Sequence, residues 1–323
     1  MEFQSSLLRN KSNEQERQDT TRSRQGSQIQ PDTFRLFALH EEQLEAILRQ
    51  APLEQPGVSS KSRSAPVYID IPNPDGSYAR FEFVVSPVME PELALKYPEI
   101  TTYSGKLVGN DEVRARFDWT PSGFHAQVIT PGSTWYVDPY SKGESYVSYY
   151  KRDYHPKNKG FECSTVDSDR NSFARRNVSA RSGDTLRTFR IAVATTGEYA
   201  QFHGGTAPLA LAAVVTTINR VNGIYEYELA VRLTLVANNN LIVYLNPSTD
   251  RFTGNNDAST LIDESQEVID DVIGDSAYDI GHTFSTGAGG LAATPSVCQA
   301  GSKAQGVTGS DSPAGDPYDV DYV

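Results

Sequence analysis

"TFRIAVATTGEYAQFHGGTAPLALAAVVTTINRVNGIYEYELAVRLTLV", Thr188 to Val236, holds the pattern from which the rest of the chain can be read. Phe189, Ile191 and Val193 alternate with smaller residues as a strand does. A helix begun near Thr206 and Pro208 follows, with Leu211, Val214, Val215, Ile218, Val221 and Tyr225 on one face. Val231, Leu233 and Leu235 alternate again as a second strand. Ser259 is placed to cap a further helix whose stripe is Leu261, Ile262, Ser265, Val268, Ile269, Val272 and Ile273, closed by Gly274. "YDIGHTFS", Tyr278 to Ser285, reads as a third strand. The order strand, helix, strand, helix, strand predicts an α/β sheet with two long helices.

The last residues, "GDPYDVDYV", Gly315 to Val323, predict the start of another helix. Asp316 is placed as its cap and Pro317 as its first residue. Asp319 meets the positive end of the dipole, and Tyr318, Tyr322 and Val323 recur at helical spacing.

Toward the N-terminus the texture changes. Residues 156–187 are polar and without periodicity, and they hold Arg170, Arg175, Arg176, Arg181 and Arg187. They read as a basic linker, either an open site for processing proteases or a solvated tether. Before it, "VYIDIPNPDGSYARFEFVV", Val67 to Val85, sets two alternating runs around Asn73–Gly76, a hairpin signal. "VRARFDWTPSGFHAQVI", Val113 to Ile129, makes a second hairpin, and "TWYVDPYSKGESYVSYY", Thr134 to Tyr150, adds more strand. "TFRLFAL", Thr33 to Leu39, is a strand, and Leu44, Ile47 and Leu48 share one face of a short helix ended by Pro52. Residues 31–155 are thus expected to form a mainly β domain, and the polar residues 1–30 a disordered tail.

The chain has 323 residues and a net charge of −12. From residue 191 onward only Arg220, Arg232, Arg251 and Lys303 are basic, so the whole imbalance lies in the C-terminal part. An acidic domain is a poor partner for nucleic acid, whose phosphates need clustered Lys and Arg. No stretch has the length and apolarity of a membrane span, and residues 1–30 lack the apolar run of a signal peptide. Cys163 and Cys298 are the only cysteines, too few for a disulfide framework and without a C-x-x-C pair. The five histidines, His40, His125, His155, His203 and His282, form no pair at metal-binding spacing, and no nucleophile elbow or phosphate loop is present.

"RTFRIAVATTGEYA", "INRVNGIYEYELAVRLTLV" and above all "YDIGHTFSTGAGGLAATPSVCQAGSKAQGVTG", Tyr278 to Gly309, resemble the N-terminal half of a reprolysin-like (adamalysin-type) metzincin zinc metallopeptidase. "PELALKYPEITTYSG", "GFHAQVITPGSTWYVDPYSKG" and "YVSYYKRDY" resemble the propeptide of that family's bacterial branch. The resemblance runs from about residue 31 to 323 and implies a β-rich pro-domain over 31–155, followed after the linker by the N-terminal part of the catalytic domain over 188–323.

Several expectations come with it. In the family the helix after the "DYV" stretch opens H-E-x-x-H-x-x-G-x-x-H, which supplies three zinc ligands and the Glu that deprotonates the zinc-bound water. None of these residues is in this sequence, so the resemblance implies zinc for a full-length member and an inactive chain here. It places Gly289, Gly290, Leu291, Ala292 and Ala293 at the edge strand along which a protein or peptide substrate lies; an ordinary Gly-rich loop is the alternative. It places Cys298 as half of a disulfide whose partner is absent, hence unpaired. Cys163, between the two domains, is either a latency cysteine able to ligate zinc through its thiolate or a plain thiol. Arg175, Arg176 and Arg181 fall where processing would separate the domains. The resemblance implies a secreted zymogen; a non-catalytic binding or inhibitory module is the other reading.

Overall fold

A computed structural model of the chain describes residues 8–10, 29–55, 65–141, 145–155, 161, 163–165, 185–287 and 289–323. The linker arginines Arg175, Arg176 and Arg181 lie outside the described residues. The chain divides into two units, one made of Met1–Pro87 with Thr101–His155, the other of Val88–Ile100 with Pro156–Val323.

The first unit is one antiparallel sheet of nine strands: β1 (Leu8–Asn10), β2 (Arg35–Leu39), β3 (Val67–Pro72), β4 (Tyr78–Val85), β5 (Thr101–Leu107), β6 (Asn110–Thr120), β7 (Gly123–Thr130), β8 (Ser133–Ser141) and β9 (Ser145–Tyr150). Their order is β1-β2-β9-β8-β7-β6-β5-β4-β3. The Asn73–Gly76 turn closes β3 on β4, with Gly76 at φ 92, and Arg80 holds Asp70 across the pair through two 2.8 Å hydrogen bonds. One face packs Phe83, Tyr103, Phe117 and Phe124 ring against ring, and helix α1 (Glu41–Leu48) lays Leu44 and Leu48 on it. β2, β8 and β9 are apolar on the other face too, where Leu36, Tyr136, Val147 and Tyr149 make a second cluster. β5, written "TTYSGKL", and β1 carry too few apolar residues to be read as strands from sequence; their neighbours' hydrogen bonds make them so.

The second unit is built on five strands: β10 (Arg187–Thr195), β11 (Val231–Leu235), β12 (Ile280–Ser285), β13 (Gly290–Ala292) and β14 (Gly306–Gly309). Their order is β11-β10-β12-β14-β13, all parallel except β13, which runs antiparallel to β14. β10 shows why two helices are needed. Ile191 and Val193 point to one face, where α4 (Ala207–Glu228) packs Leu211, Val214, Val215 and Ile218; Ala192 and Ala194 point to the other, where α5 (Ala258–Val272) packs Leu261, Val268 and Ile269. Small residues on that second face let α5 lie close to the sheet. A short helix α3 (Gly197–Phe202) follows β10, capped by the Thr196 hydroxyl, which accepts from the Tyr199 N–H.

Three details differ from the sequence reading. Asp257, not Ser259, caps α5: its carboxylate accepts from the Ser259 N–H at 3.1 Å and from the hydroxyls of Ser259 and Thr260 at 2.7 Å. An ionised carboxylate is the stronger acceptor, so it takes the cap and Ser259 becomes a donor to it. Residues Tyr318–Tyr322 form a π-helical turn in which the N–H groups of Asp321 and Tyr322 both reach the Pro317 carbonyl. Pro317, not Asp316, stands at the cap position, and Asp319 faces inward to Arg220 instead of the dipole, because a buried guanidinium needs a carboxylate more than a helix end does. Finally, Val88–Ile100, read with the first domain, belongs to the second unit. Helix α2 (Pro91–Lys96) within it places Leu93 in the α4-side core, and its approach strand hydrogen-bonds the end of β11 through Leu235 N–H to Val88 O at 2.7 Å and Glu90 N–H to Leu235 O at 2.9 Å.

Candidate functional site

β13 ends the sheet, so one of its edges pairs with β14 and the other needs a partner. Gly289, at φ 69, turns the chain into it, a conformation that suits glycine. Gly290 lies opposite Thr308, Leu291 opposite Val307 and Ala292 opposite Gly306. The second edge carries a stretch from upstream. Cys163 bridges to Gly290 in the parallel sense, the Ser164 N–H donates to Gly290 O at 2.8 Å, and the Ala292 N–H donates to Thr165 Oγ1 at 3.0 Å. An extended chain segment therefore already lies along β13 as an added strand.

Phe161, two residues before Cys163, stacks on Tyr322 with ring centroids 3.7 Å apart and planes 2° from parallel. The same ring fills the space over Gly290: a Cβ there would stand 2.8 Å from Phe161 Cζ. Tyr322 is held in turn. Its carbonyl accepts from Thr308 Oγ1 at 3.1 Å, and its N–H donates to Pro317 O at 3.1 Å. Because the Thr308 hydroxyl spends its hydrogen on Tyr322, it receives one from His282 Nε2, 2.9 Å away. Burial lowers the His282 pKa to about 4, which keeps the imidazole neutral, and the Thr308 oxygen as acceptor sets its one proton on Nε2. Gly306 closes the other ring nitrogen, since a Cβ there would meet His282 Nδ1 at 2.8 Å.

Beneath this layer lies a buried polar pair. Arg220 of α4 donates to Asp319 Oδ2 at 2.8 Å, and Thr217 Oγ1 donates to Asp319 Oδ1 at 2.6 Å, both in the core. The rings of Tyr199, Phe284 and Tyr318 pack tilted and edge-on to one another beside it, and burial pushes the hydroxyl pKa of Tyr199 and Tyr318 well up, so both stay protonated.

The structure thus brings Gly289, Gly290, Leu291, Ala292, Ala293 and Cys163 together. Cys298 lies elsewhere, in a turn at φ 62 with its N–H on Asp279 O, and both cysteines are exposed thiols. His203 spends Nε2 on Pro313 O, and His125 pairs with Asp118 at 2.9 Å within the first unit. Among the described residues no three His, Cys, Asp or Glu side chains converge as a metal-ligand set. The residues described therefore do not fit zinc as its ligands, and no step through a metal is assigned to them. Among the described residues no helix is long and apolar enough to cross a membrane. Phe161, Thr165, Thr308 and Tyr322 were not singled out from sequence as site residues; Phe161 had one signal, an aromatic residue in a polar stretch.

Residues 185–323 match the family described as metallo-peptidase family M12B, reprolysin-like. No curated protein matches the chain. Among solved structures, the crystal structure of metalloproteinase-II from Bacteroides fragilis is similar over 84% of this chain and 80% of that one, at 9% identity and a TM-score of 0.41.

Proposed function

We propose that this chain carries the pro-segment and the substrate-edge part of a secreted zinc metalloendopeptidase zymogen, with Gly289–Ala293 as the strand that receives a peptide. The observation that carries the reading is the added strand: β13 already takes an extended segment through Gly290 O and the Ala292 N–H. Backbone pairing along a sheet edge is how a protein holds a peptide of varied sequence, since the main chain supplies the donors and acceptors. The match of residues 185–323 to reprolysin-like metallo-peptidases supplies the reaction class, peptide-bond hydrolysis with zinc. Cys163, on the added strand, is in this reading the latency cysteine, and Arg175, Arg176 and Arg181 mark where processing frees the edge.

A non-catalytic binding or inhibitory module is the second reading, and the segment Cys163–Thr165 held along β13 suits it equally. Zinc binding and peptide hydrolysis by the purified chain, before and after trypsin treatment, separate the possibilities. The proposal expects zinc held no more tightly than by isolated surface histidines, no turnover by the chain itself, and protection of the Ala292 amide in the uncut chain. Stoichiometric zinc with turnover would overturn the assignment of the edge alone to this chain. Unprotected β13 amides in the uncut chain would overturn the edge.

A further inference from the structure

We infer that the β13 edge reads one side chain of the peptide it holds: an aromatic ring, seated between the Tyr322 ring and the bare backbone of Gly290, with Phe161 as the resident occupant. The inference rests on the reading of β13 as a peptide-receiving edge and adds a selectivity to it.

Two independent features build the seat. The first is the floor. Gly290 has no Cβ, and the space one would take is filled by the Phe161 ring edge, so any larger residue at 290 displaces the ring. The second is the wall. Tyr322 lies face to face with Phe161 at 3.7 Å and 2°, a geometry that a flat side chain satisfies and an aliphatic one does not. Both parts are tied to the same residue, Thr308, which is the β14 partner of Gly290 and hydrogen-bonds the Tyr322 carbonyl. Floor and wall are therefore held in register by the sheet itself. The Ser164 N–H bond to Gly290 O is main chain on both sides and carries no side-chain preference; the Thr165 hydroxyl, which accepts from the Ala292 N–H, asks only for a small polar acceptor, and the ring is the contact that asks for an aromatic residue.

The test is amide hydrogen exchange on the 323-residue chain, read at Ser164 and Ala292, whose N–H groups bond across the edge, with the Val193 N–H, bonded to Asn239 in the core, as the fold control. Phe161→Ala should speed exchange at both edge amides by about tenfold or more, as expected for losing a stacked aromatic contact. Phe161→Tyr and Phe161→Trp should keep protection near that of the native chain, and Phe161→Leu should lose most of it. Tyr322→Leu should match Phe161→Ala, and Gly290→Ala should do the same in the native chain yet add little once Phe161 is Ala, a coupling that a general loss of stability would not give. Val193 should be unchanged throughout. If Phe161→Ala, or Leu in its place, leaves the edge amides as protected as before, the aromatic seat is refuted while the peptide edge stands. If the native chain shows no protection at Ser164 and Ala292, both fall.

Discussion

Asp319 and Arg220 are both nearly free of solvent, with side-chain exposures of 7% and 2%, so each needs the other. Replacing Asp319 with Ala should destabilise the second unit by about 3–5 kcal/mol, the cost of stranding a buried charge. Breaking the exposed Arg251–Asp271 pair should cost at most about 1 kcal/mol. Urea titrations of the two variants check the ordering. Thr308→Val should cost about 1–3 kcal/mol by leaving the His282 N–H and the Tyr322 carbonyl without partners. His282 also gives the fold a pH dependence. Its folded pKa, about 4, lies below its ordinary value of 6.5, so the unfolded chain takes up the proton first as pH falls. The stability it contributes is complete above pH 6.5 and is lost as pH falls from there through 4. As a residue His282 is half-buried rather than fully enclosed, so the loss is about 1–2 kcal/mol, less than full burial would give. His282→Gln, which keeps a donor for Thr308, should flatten stability between pH 6.5 and 4.

Elements with strong periodicity were legible and those without it were not. The strands around Ile191 and Leu233 and the helices around Val214 and Val268 stand where alternation and helical spacing put them. β5 and β13 carry Ser, Gly, Thr and Ala, and pairing alone makes them strands. The edge at Gly289–Ala293 came from resemblance, and its partners Phe161 and Tyr322 could not be read from spacing, since they lie on segments far apart in sequence. The α5 cap was displaced by two residues because Ser259 and Asp257 both suit the position and only geometry shows which accepts. Asp257→Ala should therefore lower the melting temperature more than Ser259→Ala. Gly309 has no room for a side chain: a Cβ would fall 1.4 Å from Gly287 O, where the loop after β12 crosses β14. Gly309→Ala should cost more than about 3 kcal/mol or prevent folding, because the obstruction is main chain and cannot rotate away. Circular dichroism with thermal melting reads both variants.

At the scale of the molecule, the sequence from 166 to 186 is rich in arginine and poor in apolar residues, so trypsin should cut first between Arg170 and Arg187; peptide mapping over time shows whether it does. Such a cut does not divide the chain as its position suggests. Val88, Met89, Leu93 and Ile100 are buried in the core under α4, although Thr101–His155 of the first unit separates them in sequence from residue 156. Each is worth roughly 1.5–3 kcal/mol, and together they compare with the whole stability of an ordinary domain, about 5–15 kcal/mol. The cleaved product should consequently migrate as two polypeptides under denaturing conditions and as one species in native size exclusion. The scissile bond is a covalent boundary and Val88–Ile100 a non-covalent one, and the two do not coincide: releasing the upstream fragment takes extraction of a donated helix as well as a cut, and a cut alone leaves a nicked complementation pair whose upstream fragment stays in place as an integral subunit.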